Sequence, residues 1–176
     1  MLKRLITSRE ALLVGATVML LALISSRFPA FITPANLANV FNDTSPLILL
    51  AIGQMIVILT RCIDLSVAAN LALTGMVVSM VNVAAPGLPI IIILVIAIGL
   101  GTVLGMINGV LVWKLAIPPI VVTLGTMTIF RGIIFVISDG KWVNSHEMSP
   151  AFKAFPRTEL LGLPVLGWIA ILAVIV

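Results

Sequence analysis

Residues 65–113 read LSVAANLALTGMVVSMVNVAAPGLPIIIILVIAIGLGTVLGMINGVLVW, 49 residues without a single charge. As one helix rising about 1.5 Å per residue, this run would be more than twice as long as the roughly 30 Å hydrocarbon core of a bilayer. The strong helix breaker inside it is Pro86-Gly87-Leu88-Pro89. The run is therefore predicted to form two transmembrane helices, at about 65–85 and 89–113.

The composition of the whole chain agrees with a membrane protein. Of its 176 residues, 61% are hydrophobic and 9% are charged, whereas a soluble domain has about 45–50% apolar and about 25% charged residues. A soluble enzyme or a nucleic-acid-binding domain is excluded, because it would leave too much apolar surface in water. The formal net charge of +4 is better explained by basic residues in cytoplasmic loops than by a nucleic-acid partner.

Further apolar segments flank the uncharged run. Asp43, Thr44 and Ser45 followed by Pro46 are typical of a helix start, with capping oxygens and a proline at the first helical position. The last segment is still apolar at Val176, so we expect a truncated sixth span. The predicted fold is an all-α polytopic transmembrane bundle with about five complete spans. The remaining predicted spans are about 11–27, 46–60, 119–137 and 164–176.

Basic residues set the orientation. Lys3, Arg4 and Arg9 precede the first span, and positive residues favour the cytoplasmic side. The N-terminus is therefore predicted to be cytoplasmic. The polar segment 138–163, between the fifth and sixth spans, then lies on the outer side of the membrane.

A stripe of small residues marks the fourth span. Gly101, Gly105 and Gly109 follow Ala97 at intervals of four, which places them on one helical face where another helix can approach closely. We predict that this stripe packs against a neighbouring helix. Asn108 lies beside it and is predicted either to bond a neighbouring helix or to line a pathway.

Charged residues interrupt the apolar spans at two places. Arg61 and Asp64 lie between two apolar helices, and three roles stay open: an ion pair, capping of the next helix by Asp64 and Ser66, or a short turn with Arg61 at the lipid headgroups. Arg131 lies inside the fifth span and is predicted to form an ion pair or to belong to a pathway.

The sequence offers no catalytic, metal-binding or cofactor-binding site. It has one histidine (His146), one cysteine (Cys62) and no tyrosine, and no serine lies in a nucleophile-elbow context. The glycine-rich pattern of a phosphate-binding loop is also absent. We therefore predict that the chain is not an enzyme and that any ATP hydrolysis takes place on a separate subunit.

Several stretches resemble one known family. Ile63-Asp64-Leu65-Ser66-Val67 is similar to the signature loop of the permease subunits of ribose-type ABC sugar importers. Residues 105–109 (GMING), 117–127 (IPPIVVTLGTM) and the pair Arg131-Gly132 resemble the family's most recognisable region. Residues 36–40 (NLANV) fit its usual opening, so the resemblance covers essentially the whole chain.

The chain departs from the family pattern in two respects. Arg61, Cys62 and Ala68 stand where the family usually has glycine. This pattern, with Asn70, resembles the branch of rhamnose and autoinducer-2 permeases, and residues 42–45 and 65–75 look closest to rhamnose permeases. Family permeases are also nearly twice as long. Residues 1–176 are thus expected to be the N-terminal part of a single ABC permease domain.

The resemblance implies a multi-pass protein of the bacterial inner membrane, with 138–163 as a periplasmic loop. Its implied partners are a cytoplasmic ABC ATPase subunit, a periplasmic sugar-binding protein and a second permease, identical or different, with lipid around them. A neutral sugar needs hydrogen-bonding groups along its path, which fits Asn70, Asn108 and Thr123. The alternatives are a secondary transporter driven by an ion gradient and, less favoured, an intramembrane hydrolase.

Overall fold

The computed structural model describes residues 9–175. The predictions that rest on Lys3 and Arg4 fall outside these residues. The elements of the described part, in chain order, are helices α1 (Arg9–Arg27), α2 (Pro34–Leu59), α3 (Val67–Ala84), α4 (Ile90–Leu115), α5 (Pro119–Ser138), α6 (Pro150–Ala154), strands β1 (Glu159–Leu160) and β2 (Leu163–Pro164), and helix α7 (Val165–Ile175). Helices α1 to α5 are long and apolar enough to cross a membrane, and α7 is a shorter apolar helix. The prediction of an all-α polytopic membrane protein is confirmed.

The described part of the chain divides into two compact units, with the boundary between Thr44 and Ser45. In the first unit, α1 has no buried residue, so its apolar surface needs a membrane around it. A 3-10 helix at Pro29–Ile32 follows it. The side-chain amide of Asn36 donates to the carbonyl of Phe31 at 2.7 Å and ties this turn to the start of α2.

The predicted start of the second span at Pro46 is wrong. Helix α2 begins at Pro34, and Pro46 lies inside it. Thr33 supplies the start instead, because its carbonyl accepts from Leu37 N at 3.0 Å and its hydroxyl oxygen accepts from Asn36 N at 3.4 Å. A hydroxyl residue before proline thus occurs twice, as Thr33-Pro34 and Ser45-Pro46, and the upstream pair begins the helix. Pro46 removes one i→i−4 hydrogen bond, which helices of membrane proteins tolerate.

The second unit is built on α3, which packs against both α4 and α5. Its core is the buried cluster of Ala69, Leu73, Leu104 and Phe130. Away from this cluster the helix faces are apolar and exposed, as at Ile98 on α4, which suits contact with lipid. The other helices begin and end within two residues of the predicted spans.

The polar segment 138–163 is more ordered than the sequence indicated. It contains α6, a 3-10 helix at Phe155–Arg157 and β1, which pairs with β2 in an antiparallel hairpin. Leu161 and Gly162 form the hairpin turn with φ of 51° and 81°, as a two-residue turn of the I′ type requires. The indole nitrogen of Trp168 on α7 donates to the carbonyl of Leu160 at 2.7 Å and holds the hairpin against α7.

Candidate functional site

The chain between α2 and α3 is not helical, and its first residues close α2. The N–H of Arg61 donates to the carbonyl of Ile58 at 2.8 Å, and that of Cys62 donates to the carbonyl of Val57 at 3.3 Å. This pair of bonds is the Schellman ending of a helix, which needs one residue in the left-handed conformation. Arg61 is that residue, with φ of 60°.

Replacement of Arg61 by glycine is therefore expected to stabilise the protein. A non-glycine residue in the left-handed region costs roughly 1–2 kcal/mol, so Arg61→Gly should raise the free energy of unfolding by about 1 kcal/mol. Denaturant unfolding of the purified protein in mixed micelles measures the difference. Cys62→Gly is the matched control: its φ is not positive, so the change should lower stability by about 0.5–1 kcal/mol. A loss of stability in Arg61→Gly would contradict the expectation.

Asp64 and Ser66 build the start of α3. The Asp64 Oδ1 atom accepts two hydrogen bonds of 2.7 Å, from the backbone N and from the hydroxyl of Ser66. The Ser66 hydroxyl oxygen in turn accepts from Nδ2 of Asn108 on α4, also at 2.7 Å. Ser66 is fully buried and Asn108 is 6% exposed. A chain of hydrogen bonds therefore joins the non-helical segment to α4.

The predicted roles of this segment can now be compared with the contacts. The ion pair that forms among residues 9–175 joins Lys141 to Asp139 at 3.2 Å. The predicted ion pair between Arg61 and Asp64 does not form among these residues. Helix α3 begins at Val67 with Ser66 as N-cap, and the Ser66 side chain makes no capping bond. Asp64 holds the turn instead, because its carboxylate accepts the N–H of the N-cap residue.

Thr123 joins α5 to the non-helical segment between α2 and α3. Its hydroxyl lies 2.9 Å from the carbonyl of Pro119, one turn earlier on α5, and 3.3 Å from the carbonyl of Ile63. Thr123 is 3% exposed. The structure thus brings together four of the predicted site residues, Asp64, Ser66, Asn108 and Thr123.

A cavity of about 280 Å³ lies against this group. Its wall combines the non-helical segment, α4 and the start of α5. The lining residues include Cys62, Asp64, Gly105, Asn108, Gly109 and Thr123, with apolar surface from Val57 and Val112. Asn108 lies seven residues before the end of α4 at Leu115, which is about 10 Å of helix. The cavity therefore lies beside the end of α2, the non-helical segment and the first turn of α5, while α4 continues past it.

In the described part of the chain, two of the three members of the glycine stripe have no helix close to them, and the packing predicted there stays a prediction. A Cβ atom on Gly105 or Gly109 would meet no heavy atom within 4 Å in the described part of the chain. Both glycines line the cavity. Only at Gly101 does α3 come close, with Asn70 Oδ1 at 3.8 Å and Thr74 Oγ1 at 3.9 Å from the added atom. Spacing of four places residues on one face of a helix but does not specify what lies opposite that face. Gly105 shares the cavity with the non-helical segment between α2 and α3.

Asn70 and Arg131 lie elsewhere. The Asn70 amide donates to the carbonyl of Gly101 at 3.2 Å and accepts from Thr74 Oγ1 at 3.2 Å, so it bonds α3 to α4 outside the cavity described above. Arg131 is exposed on α5, and its side chain makes no hydrogen bond or ion pair with residues 9–175. Its role as an ion-pair or pathway residue stays a prediction.

Sequence reasoning missed one polar pair, which anchors the segment 138–163. Asn82 on α3 is fully buried; its Nδ2 donates to Ser149 Oγ and its Oδ1 accepts from Ser149 N, both at 2.9 Å. Farther out, Asn144 donates to Glu147 Oε2 from its backbone N at 2.6 Å and from Nδ2 at 3.0 Å. The backbone bond and then the side-chain bond hold the pKa of Glu147 below its ordinary value.

Comparison with known proteins places these features in a family context. Residues 36–176 match the family model described as "Branched-chain amino acid transport system / permease component". A ribose import permease protein of Haemophilus influenzae is 37% identical over 157 residues, which cover 88% of this chain and 48% of the relative. Autoinducer 2 import system permease proteins of Escherichia coli and Photorhabdus luminescens are 36% and 33% identical over 99% of this chain and 50% and 52% of theirs. The chain thus spans about half the length of the curated relatives it matches. No solved structure matches it.

Proposed function

The chain belongs to this family of transport-system permease components, and we propose that it forms part of the translocation path of an ATP-driven, binding-protein-dependent sugar importer. The observation that carries the proposal is the cavity beside the break between α2 and α3. Its wall carries Asp64, Asn108 and Thr123 between apolar surfaces. Broken helices that line a cavity are the usual way for a transporter to place polar groups inside a membrane.

The subunits that would complete the importer follow from the same proposal. A permease of this kind works with a cytoplasmic ATP-binding subunit, a periplasmic sugar-binding protein and a second permease, identical or different. The protein is an integral protein of the inner membrane. We infer that its N-terminus is cytoplasmic and that 138–163 faces the periplasm. The exposed indole of Trp142, 78% accessible, then belongs to the surface on which the binding protein docks.

For the substrate, we propose a small neutral sugar. The relatives are named for ribose and autoinducer 2, and the resemblance of residues 42–45 and 65–75 to rhamnose permeases adds rhamnose. The relatives are named as permeases rather than enzymes, which favours a transport component over an intramembrane hydrolase.

Uptake by the complete transporter tests the proposal. The full-length permease is co-expressed with its ATP-binding subunit and binding protein, and entry of labelled rhamnose, ribose and autoinducer 2 is measured. We expect uptake of at least one of these that disappears when the ATPase is inactivated by substitution of its catalytic residue. Uptake that survives this substitution and collapses with an ionophore would instead indicate a secondary transporter.

A further inference from the structure

Two oxygen atoms at the cavity have no hydrogen-bond donor. Asp64 Oδ1 accepts both bonds from Ser66, and Oδ2 of the same carboxylate has no partner among residues 9–175. Asn108 donates through Nδ2 to Ser66, but its Oδ1 is buried and unpaired. An unpaired buried acceptor is costly, so Asn108 Oδ1 favours a donor from outside the described chain. The carboxylate of Asp64 is half-buried, and its Oδ2 is free to accept a second donor.

The donors of the same group are already in use. The Ser66 hydroxyl donates to Asp64, and the Asn108 amide donates to Ser66. The Thr123 hydroxyl donates its one proton to the carbonyls of Pro119 and Ile63, which share it. These side chains therefore present acceptors to a ligand. Such a lining favours O–H groups and, because Asp64 carries a negative charge when ionised, repels anions.

The remaining wall and the size of the cavity restrict the ligand further. Val57 and Val112 add apolar surface, and Gly105 and Gly109 leave space. A cavity of about 280 Å³ has room for several water-sized groups, and thus for a small sugar. A sugar ring has both an apolar C–H face and hydroxyl donors at its edge.

We propose that this cavity is a binding subsite for a neutral polyol, in which two ligand hydroxyls donate to Asp64 Oδ2 and Asn108 Oδ1. The subsite rests on the proposed transport function and deepens it: the path selects hydroxyl donors at a defined point and excludes phosphorylated sugars there. Asp64 is the main determinant, because a hydrogen bond to a charged acceptor is stronger than one to a neutral amide.

Cys62 provides the probe, since it lines the cavity. In the full-length permease with its other cysteines replaced, the rate of alkylation of Cys62 by N-ethylmaleimide is measured in nanodiscs. We expect D-ribose or L-rhamnose to slow the reaction, by about tenfold at ten times the dissociation constant. D-ribose 5-phosphate and sodium chloride should not slow it. Protection by sodium chloride without sugar would show a cation site and overturn the proposal, as would equal protection by the phosphorylated sugar.

Asp64→Asn isolates the proposed contact. The amide oxygen can still accept the two bonds from Ser66, while Oδ2 is replaced by an N–H₂ donor. We expect the sugar concentration for half-maximal protection to rise about tenfold or more. Asp43→Asn is the matched control, since it makes the same change at an exposed carboxylate that does not line the cavity, and protection should persist in it. Unchanged protection in Asp64→Asn would overturn the subsite.

The two proposals fail in different ways. ATP-dependent sugar uptake by the complete transporter without protection of Cys62 would remove the subsite and leave the transport function standing. Sugar protection of Cys62 without any ATP-dependent uptake would keep the subsite as a binding site and contradict the importer.

Discussion

Gly105→Leu is expected to reduce sugar uptake to background while leaving the amount of folded permease unchanged. Gly105 lines the cavity, and a Cβ atom there meets no heavy atom of the described chain within 4 Å. The leucine side chain therefore enters open space beside Asp64 and Asn108 rather than a neighbouring helix. Glycine inside a helix is less stable than alanine by about 0.5–1 kcal/mol, so the change should not weaken α4 itself.

Two other glycines of α4 serve as controls. Gly99 also has no heavy atom within 4 Å of an added Cβ, but it does not line the cavity, so Gly99→Leu should preserve both folding and uptake. At Gly101 the added atom would already touch Asn70 and Thr74 at 3.8 and 3.9 Å. Gly101→Leu should therefore separate α3 from α4 and lower the yield of folded protein.

The measurements are uptake in cells and the monodisperse fraction after extraction from membranes. If Gly105→Leu lost folded protein as Gly101→Leu is expected to, the glycine would be packing against a helix. If Gly105→Leu transported sugar normally, the cavity would lie outside the path. Either result would contradict the assignment of the cavity to translocation.

The bounds of the helices were predictable where they depend on the thickness of the bilayer or on a helix-breaking sequence. The uncharged run 65–113 is too long for one span, and Pro86 to Pro89 is the place where it turns. The start of α2 was not predictable with the same certainty. Thr33-Pro34 and Ser45-Pro46 both place a hydroxyl residue before a proline, which is typical of a helix start. A proline is only a probable helix boundary, because a membrane helix can continue through it.

The site was predictable as a set of residues but not as an arrangement. Sequence spacing placed Asp64 beside Ser66, and the charge in an apolar region indicated a special role. The contacts of Ser66 with Asn108 and of Thr123 with Ile63 join residues 42 and 60 positions apart. Periodicity within one helix carries no information about such pairs. For the same reason, the spacing of the glycines defines one face of α4 but does not predict what lies opposite each of them.

The pair formed by Asn82 and Ser149 is 67 positions apart in sequence, and its loss should release the segment 138–163. We expect trypsin to cleave Asn82→Ala in this segment, at Lys141, Lys153 or Arg157, roughly 30-fold faster than the unmodified permease. The estimate follows from about 2 kcal/mol for two lost hydrogen bonds, one of which leaves the half-buried N–H of Ser149 without its acceptor. Cleavage of a transiently open segment follows the population of the open form when opening and closing are fast.

Asn70→Ala is the matched control for this experiment. Asn70 is the same residue type on the same helix, but its bonds to Gly101 and Thr74 lie within α3 and α4, so its loss should leave cleavage in the segment 138–163 unchanged. Equal acceleration in the two variants would mean that α3 has loosened as a whole. Equal rates in Asn82→Ala and the unmodified permease would mean that other contacts hold the segment. An increase confined to Asn82→Ala would show that one buried amide fixes the segment 138–163 to α3. The other end of α3, at Ser66, borders the cavity. A partner that docks on the segment would then act on a helix that is joined to the proposed path.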